Sequence, residues 1–287
     1  MASSATPRLF CLGFGFVATR FASLIKRCGW EVVATARAEA SARALETVGV
    51  QALRLGGANA DQLLETIHAA EAILITAPPT KDGDPFLPLL PARLDAARAR
   101  WVGYLSTTGV FGDRGGGWAF DDDPPTPLSQ EGERRVHAEM GWLATGLPVH
   151  RFRLPGIYGP GRSAFDRLRD GTANRIVKPG QVFSRAHRDD IARALLASLE
   201  RPNPGRCYSI CDDEPAPPHL VVEHAAALMG IEPPPIQSFE QAELTPMARR
   251  FYGESKRVSN ARAKAELGWR PLFPTYREGL AAILAAQ

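Results

Sequence analysis

The stretch Arg8 to Arg37, RLFCLGFGFVATRFASLIKRCGWEVVATAR, decides the fold. Leu9-Phe10-Cys11-Leu12 is an apolar run of strand length, followed by the turn Gly13-Phe14-Gly15-Phe16-Val17-Ala18, a helical run to Cys28, and a second strand from Glu31 to Ala36. Gly13 lets the chain leave the strand sharply, and Gly15, with no Cβ, lets backbone approach a pyrophosphate closely. Ala18 keeps the helix tight against the strand. The helix opens at Phe16 and Val17, so its unpaired N–H groups and partial positive charge face the phosphates. A strand, this turn, a helix and a second strand in that order form a dinucleotide-binding pattern. A carboxylate ending the second strand would hold the ribose 2′-hydroxyl of NAD. The chain instead reads Ala34-Thr35-Ala36-Arg37, and a guanidinium suits a 2′-phosphate, which favours NADP(H) over NAD(H).

Outward from this unit, strand and helix patterns alternate. Strands are expected at Arg8–Leu12, Trp30–Ala36, Val50–Leu53, Ala72–Thr76, Trp101–Ser106 and Val149–Leu154, and helices at Phe16–Cys28, Ala38–Val48, Asp61–Ala69 and Pro85–Arg100, the last with proline in its first turn. Such alternation gives an α/β fold, a Rossmann doubly wound parallel sheet. In the second half, prolines cluster at 202–204, 215–218 and 233–235, the elements shorten, and helical segments Val258–Leu267 and Tyr276–Ala286 close the chain. The expected organisation is a dinucleotide-binding Rossmann domain over 1–156, completed by 185–210 and 257–287, with a smaller substrate-side lobe from 157–184 and 211–256.

At 287 residues and 45% hydrophobic, the chain has the composition of an ordinary globular protein. Its net charge of +3 is spread along the length, with no basic stripe to neutralise a phosphate backbone, so nucleic acid is not an expected partner. Cys11, Cys28, Cys207 and Cys211 include no Cys-x-x-Cys and no nearby His at ligand spacing, so neither a disulfide framework nor a metal site is expected, and a reducing, cytoplasmic setting fits. Leu9 to Thr19 is uncharged, but it is the first strand and its turn, and Arg20 argues against an export signal. No run approaches the ~20 apolar residues of a membrane span. The expected partner is a small-molecule substrate, and the expected state is a monomer or homodimer.

Several further segments resemble the extended branch of the short-chain dehydrogenase/reductase superfamily, the epimerase/dehydratase-like proteins. Ser106-Thr107-Thr108-Gly109-Val110-Phe111-Gly112 is similar to the family's Ser/Thr-rich strand end followed by Val-Tyr-Gly. Arg153-Leu154-Pro155-Gly156-Ile157-Tyr158-Gly159-Pro160-Gly161-Arg162 looks like its Arg-x-x-x-Ile-Tyr-Gly-Pro-Gly segment, the most specific of the matches. His187-Arg188-Asp189-Asp190-Ile191-Ala192, the strand and turn from Cys207 to Pro215, and Leu267-Gly268-Trp269-Arg270-Pro271 follow in the family's order. The resemblance implies a Tyr hydroxyl, activated by a Lys four residues on, exchanging a proton while the nicotinamide exchanges a hydride. It also implies cofactor contacts at Ala77, Pro78, Pro155, Gly156 and Ile157, substrate contacts at Tyr158 and Arg162, and a substrate-binding hydroxyl at Thr107.

The catalytic pair departs from the family. The Ala138-Glu139 pair sets a register that puts Glu131 at the Tyr position and Arg135 at the Lys position. No Tyr lies between Tyr104 and Tyr158, and no Lys between Lys81 and Lys178. Glu131 and Arg135, four apart on a helix, would form a solvated ion pair, or else serve as a general base and an anion clamp. Tyr252-Gly253-Glu254-Ser255-Lys256 has the motif's form but follows all the Rossmann strands; it reads as a surface pair, with a catalytic role for Tyr252 as the alternative. His187 reads as a structural histidine and Asp121-Asp122-Asp123 as a solvated loop. Two functions remain open: an NADP(H)-dependent oxidoreductase or epimerase-like enzyme acting on a sugar nucleotide or another hydroxy or carbonyl compound, and a non-catalytic NADP(H)-binding redox sensor or scaffold.

Overall fold

The computed structural model describes residues 6–55 and 60–287. The first elements are β1 Arg8–Leu12, α1 Phe16–Lys26, β2 Glu31–Ala36, α2 Glu39–Thr47, β3 Gln51–Arg54, α3 Ala60–Ala69, β4 Ala72–Ile75 and β5 Trp101–Thr107. Then come β6 Trp118–Ala119, α4 Gln130–Ala144, β7 Val149–Leu154, β8 Gly156–Tyr158, α5 Ala164–Arg169, β9 Arg175–Val177, β10 Arg185–His187, α6 Arg188–Glu200 and β11 Cys207–Ser209. The last are α7 Pro218–Met229, β12 Ile236–Ser238, α8 Pro246–Phe251, β13 Arg257–Val258, α9 Ala261–Leu267 and α10 Tyr276–Ala285.

Seven strands form one sheet in the order β11-β7-β5-β4-β1-β2-β3. The pairs β1–β2, β1–β4, β2–β3 and β4–β5 are parallel, with Leu12 opposite Ile75 and Cys11 opposite Ala34. The strand order reverses between β1 and β4, which is the switch point of a doubly wound sheet. The α/β Rossmann fold expected from the alternation is the fold observed. Strands buried on both faces read as continuous apolar runs, and all four residues of β4, Ala72-Ile73-Leu74-Ile75, are indeed buried.

The helix expected over Pro85–Arg100 does not form. Only the short 3-10 turn Leu87–Leu89 appears, and the rest is irregular. Pro88 and Pro91 lie beyond the one position a helix tolerates, where each removes an N–H donor and crowds the preceding turn. The segment is instead held from within: Asp84 accepts from the backbone of Phe86 and Leu87 at 2.9 and 3.1 Å and from Trp142 Nε1 at 2.8 Å.

The chain gathers into two compact units, Met1–Ser106 with Glu133–Arg153 and Ala192–Tyr208, and Thr107–Gly132 with Leu154–Ile191 and Ser209–Gln287. The first has a core that includes Phe10, Ile73, Tyr104 and Trp142. The second has the parallel pairs β8–β10, β9–β12 and β6–β13 and a core of α5, α7 and α10 residues, among them Phe165, Val221 and Leu280.

Candidate functional site

The glycine turn of the first unit is built for close approach. Gly13 has φ +88°, a region L side chains rarely adopt, and a Cβ there would lie 2.9 Å from both the Ala77 nitrogen and Thr76 Oγ1. Its N–H donates to Thr35 Oγ1 at 2.8 Å, while the N–H groups of Thr76 and Ala77 donate to the Leu12 carbonyl at 2.9 and 3.1 Å. The turn is thus pinned to β2 on one side and to the end of β4 on the other. Thr35 was not among the residues singled out from sequence, although a hydroxyl in an otherwise apolar strand is the signal that marks it.

Gly15 is different: a Cβ there would meet nothing within 4 Å. It precedes α1, which has no side-chain cap and no acidic residue in its first turn. Val17 and Ala18 are buried, so they seat the helix on the sheet, and Phe16 is half-buried. An uncapped, acid-free helix start beside open space fits a pyrophosphate. Ala77, half-buried, and Pro78, exposed, follow β4. Arg37, just beyond β2, is exposed and makes no hydrogen bond or ion pair among the described residues. The nearby Glu39 is occupied by Arg43 and Arg54.

On α4 the expected Glu131–Arg135 pair does not form. Glu131 pairs with Arg250 at 3.2 Å, both side chains more than half exposed. Arg135 turns to the end of β5, where Nη1 donates to the Leu105 carbonyl at 2.7 Å and to the Tyr104 hydroxyl at 3.3 Å, with the guanidinium 5.8 Å from the Tyr104 ring centre. Strand and helix compete for the same side chain, and an uncapped strand-end carbonyl beside an aromatic face is the better partner. Burial pushes the Tyr104 hydroxyl up to about 12, with Arg135 pulling the other way. One turn on, Glu139 is 1% exposed and accepts from Ser106 Oγ at 2.5 Å, Arg153 Nη2 at 2.9 Å and Arg153 Nε at 3.2 Å. Sequence reasoning used Glu139 only as a register mark and missed this buried carboxylate–guanidinium pair.

In the second unit Thr107 caps the short 3-10 turn Thr108–Phe111, its Oγ1 accepting from the Gly109 N–H at 3.1 Å. Pro155 precedes β8, and Gly156 and Ile157 lie within it; the Gly156 N–H donates to the Ser184 carbonyl at 3.4 Å. Tyr158 stands opposite His187 in the β8–β10 pair, edge-on to its ring at 5.2 Å. The Tyr158 hydroxyl is directed at α10, for a Cβ on Gly279 would fall 2.0 Å from it, and burial pushes its pKa up. His187 also packs on Phe273 at 4.5 Å and accepts from the Asp189 N–H at Nδ1. Arg162 is exposed, in a tight turn closed by reciprocal backbone bonds with Gly159.

The surface pair expected at Tyr252 and Lys256 is corrected. Helix α8 ends at Phe251, so the two do not share a helical face. Tyr252 is 9% exposed, packed on Phe239 at 5.3 Å and Phe183 at 5.8 Å, and Lys256 is also buried and pairs with Glu254. Aromatic neighbours distant in sequence drew Tyr252 inward, which no local pattern signals. A further group missed from sequence is Asp212, 3% exposed, whose carboxyl burial pushes up to about 8. Arg185 lowers it only in part, since its Nη1 donates to the Phe183 and Ala216 carbonyls.

Among the described residues no group of three or more His, Cys, Asp or Glu could hold a metal ion, and no helix is long and apolar enough to cross a membrane.

No protein-family model matches the chain. A 3-diazoavenalumate denitrifying reductase of Streptomyces is 32% identical over 185 residues, 54% of this chain and 59% of that protein. The match therefore spans little more than half of that curated relative. Among solved structures, a conserved Silicibacter pomeroyi protein of unknown function is 44% identical over 98% of this chain and 99% of its own, with a TM-score of 0.91. A Methylobacillus flagellatus protein described as an NAD-dependent epimerase/dehydratase is 25% identical over 99% of both chains, with a TM-score of 0.73. MoeE5 in complex with UDP-glucose and NAD, 21% identical over 97% of both chains with a TM-score of 0.75, shares the fold. The structural neighbours of this chain along its whole length are thus epimerase/dehydratase-like proteins of the extended short-chain dehydrogenase/reductase type, and the chain shares their fold.

Proposed function

We propose that this chain is an NADP(H)-dependent oxidoreductase acting on a small organic molecule. The observation that carries the reading is the pairing of an open, uncapped α1 start behind Gly13 and Gly15 with Arg37 at the end of β2, which has no partner among the described residues. Bound there, the cofactor supplies hydride transfer. The N–H groups opening α1 at Phe16 and Val17 hold the pyrophosphate, Arg37 holds the 2′-phosphate, and Ala77, Pro78, Pro155, Gly156 and Ile157 line the cofactor. Thr107 spends its oxygen lone pair on Gly109, which leaves its O–H to donate to a substrate oxygen. Tyr158 and Arg162 belong, in this reading, to the substrate-side lobe formed by 157–184 and 211–256.

The family supports a nicotinamide dinucleotide in general. MoeE5 is seen with NAD, so the preference for NADP(H) rests on Arg37 and on Glu39 being tied to Arg43 and Arg54. The Streptomyces relative is named a reductase, which supports reduction over epimerisation, and the UDP-glucose of MoeE5 keeps a sugar nucleotide among the substrate classes, beside other hydroxy or carbonyl compounds. The four free cysteines support a reducing, cytoplasmic setting. A second reading, a non-catalytic NADP(H)-binding sensor, is favoured by one observation: Glu131 and Arg135 are both committed to other partners.

Arg37→Asp tests the assignment. NADPH binding should weaken about tenfold or more, the scale of a charge-assisted hydrogen bond, with NADH binding little changed. Equal weakening of both would overturn the 2′-phosphate role.

A further inference from the structure

Four charged side chains meet at the ends of β2 and β3, all within the first compact unit. Arg37 follows β2, Glu39 opens α2, Arg43 lies one turn further along that helix, and Arg54 ends β3. The two strands are parallel neighbours: Arg54 stands opposite Ala36, and the Leu55 N–H donates to the Ala36 carbonyl at 2.9 Å. Arg54 is therefore the cross-strand neighbour of the residue before Arg37, at the carboxyl ends of the strands, where open α/β sheets bind their ligands. Glu39 ties the group together, accepting from Arg54 Nη1 at 2.5 Å and from Arg43 Nε at 3.3 Å. Its carboxylate also lies in the first turn of α2, which has no side-chain cap and whose N-terminal end favours a negative charge.

Arg37, Arg43 and Arg54 thus outnumber the one carboxylate among them. A phosphate monoester carries close to two negative charges at neutral pH and three strong acceptor oxygens, against one charge and two oxygens on Glu39. The Glu39–Arg54 pair is weakly held, for both side chains are more than half exposed and exposed ion pairs contribute little. A bidentate Arg–phosphate contact is the stronger bond. Resting on the 2′-phosphate reading of Arg37, we infer that Arg54 is a second ligand of the NADP(H) 2′-phosphate and that Glu39 is its internal competitor, holding Arg54 until the phosphate displaces the carboxylate. The exchange leaves no charge bare. Glu39 keeps Arg43 and the α2 N-terminus, and Arg54 passes from a monoanion to a near-dianion. NADH has a hydroxyl in place of the phosphate and does not draw Arg54 away, because a neutral acceptor is a poor replacement for a carboxylate. The Glu39–Arg54 contact therefore sets the margin between the two cofactors: it lowers NADPH affinity by the strength of the pair that must break and leaves NADH untouched.

The test is calorimetric titration of the full chain with NADPH and NADH, and with adenosine 2′,5′-bisphosphate and adenosine 5′-monophosphate, which present the adenosine end with and without the 2′-phosphate. Arg54→Ala should weaken NADPH binding about tenfold, the scale of one charge-assisted hydrogen bond, with NADH little changed. Glu39→Gln keeps the shape and removes the charge, and it should tighten NADPH several-fold, again with NADH little changed. In the double variant with Arg54→Ala the gain from Glu39→Gln should vanish, since there is then no guanidinium to withhold. The bisphosphate should reproduce this pattern and the monophosphate should not. Both positions are exposed, and unaltered NADH binding reports an intact fold in each variant. Arg54→Ala without effect on NADPH, or with equal loss for NADH, would overturn the inference. So would a Glu39→Gln gain that persists without Arg54, which makes Glu39 a diffuse repulsion, or a Glu39→Gln loss of NADH, which makes it a ribose ligand. Failure of the underlying reading looks different, because Arg37→Asp then weakens both cofactors alike. A loss confined to NADPH in Arg37→Asp, beside an inert Arg54→Ala, sinks the inference alone.

Discussion

His150 and Asp212 sit in different units, and their environments drive their titrations in opposite senses. His150 is fully buried, its Nε2 accepting from the Asn203 N–H at 2.7 Å and its Nδ1 3.3 Å from the Val102 carbonyl, and burial holds its pKa down at about 4. The folded state therefore binds fewer protons than the unfolded one below about 6.5. The contribution of His150 to stability is present above that pH and is lost as pH falls toward about 4. Asp212 does the reverse. With its carboxyl raised from 3.8 to about 8, it favours the folded state most below the lower value, and that support is lost as pH rises through the upper one. Thermal unfolding followed against pH should show Asp212→Asn flattening the decline on the alkaline side and His150→Gln flattening the decline on the acid side. A wild-type-like slope in either variant would contradict the corresponding assignment. Neither residue was legible as a titrating group in the sequence, because what shifts them is burial in the folded chain, which no local motif signals.

Along a single element, α4 carries two acidic side chains of opposite consequence. Glu139 is buried with Arg153, and removing one member of a buried pair strands the other charge, so Glu139→Ala should cost about 3–5 kcal/mol. Glu131 meets Arg250 at an exposed position, and Glu131→Ala should cost no more than ~1 kcal/mol. Denaturant unfolding of the two variants checks this, and equal losses would contradict the described burial. The strand and helix boundaries were largely legible: β1 and β7 run over Arg8–Leu12 and Val149–Leu154 as the strand patterns indicate, and α1 starts at Phe16. Legibility fails where a local pattern is overruled. Over Pro85–Arg100 a proline placed where a first turn tolerates it suggested a helix, and Pro88 and Pro91 forbid it. At Glu131 the i,i+4 spacing to Arg135 suggested an ion pair, and a residue 119 positions away took the carboxylate instead.

At the scale of the whole molecule, the order of motifs along the chain carried the fold, because a doubly wound sheet is assembled from local strand–turn–helix units whose periodicity is visible residue by residue. The nucleotide turn was legible for the same reason: Gly13, Gly15 and Arg37 are close in sequence, and each answers to a backbone or charge requirement. The supports of the site were not, since Thr35, Arg153 and Arg250 act across the fold. The central claim is that the Gly13–Gly15 turn with Arg37 holds NADP(H), and calorimetric titration of the intact protein with NADPH tests it most directly. The account predicts saturable binding at one site per chain in the micromolar range, on the order of −8 kcal/mol, and its loss in Gly13→Ala, where a Cβ at φ +88° would strike Ala77 and Thr76. Absence of NADPH binding to the wild-type protein, or binding unaffected by Gly13→Ala, would contradict it.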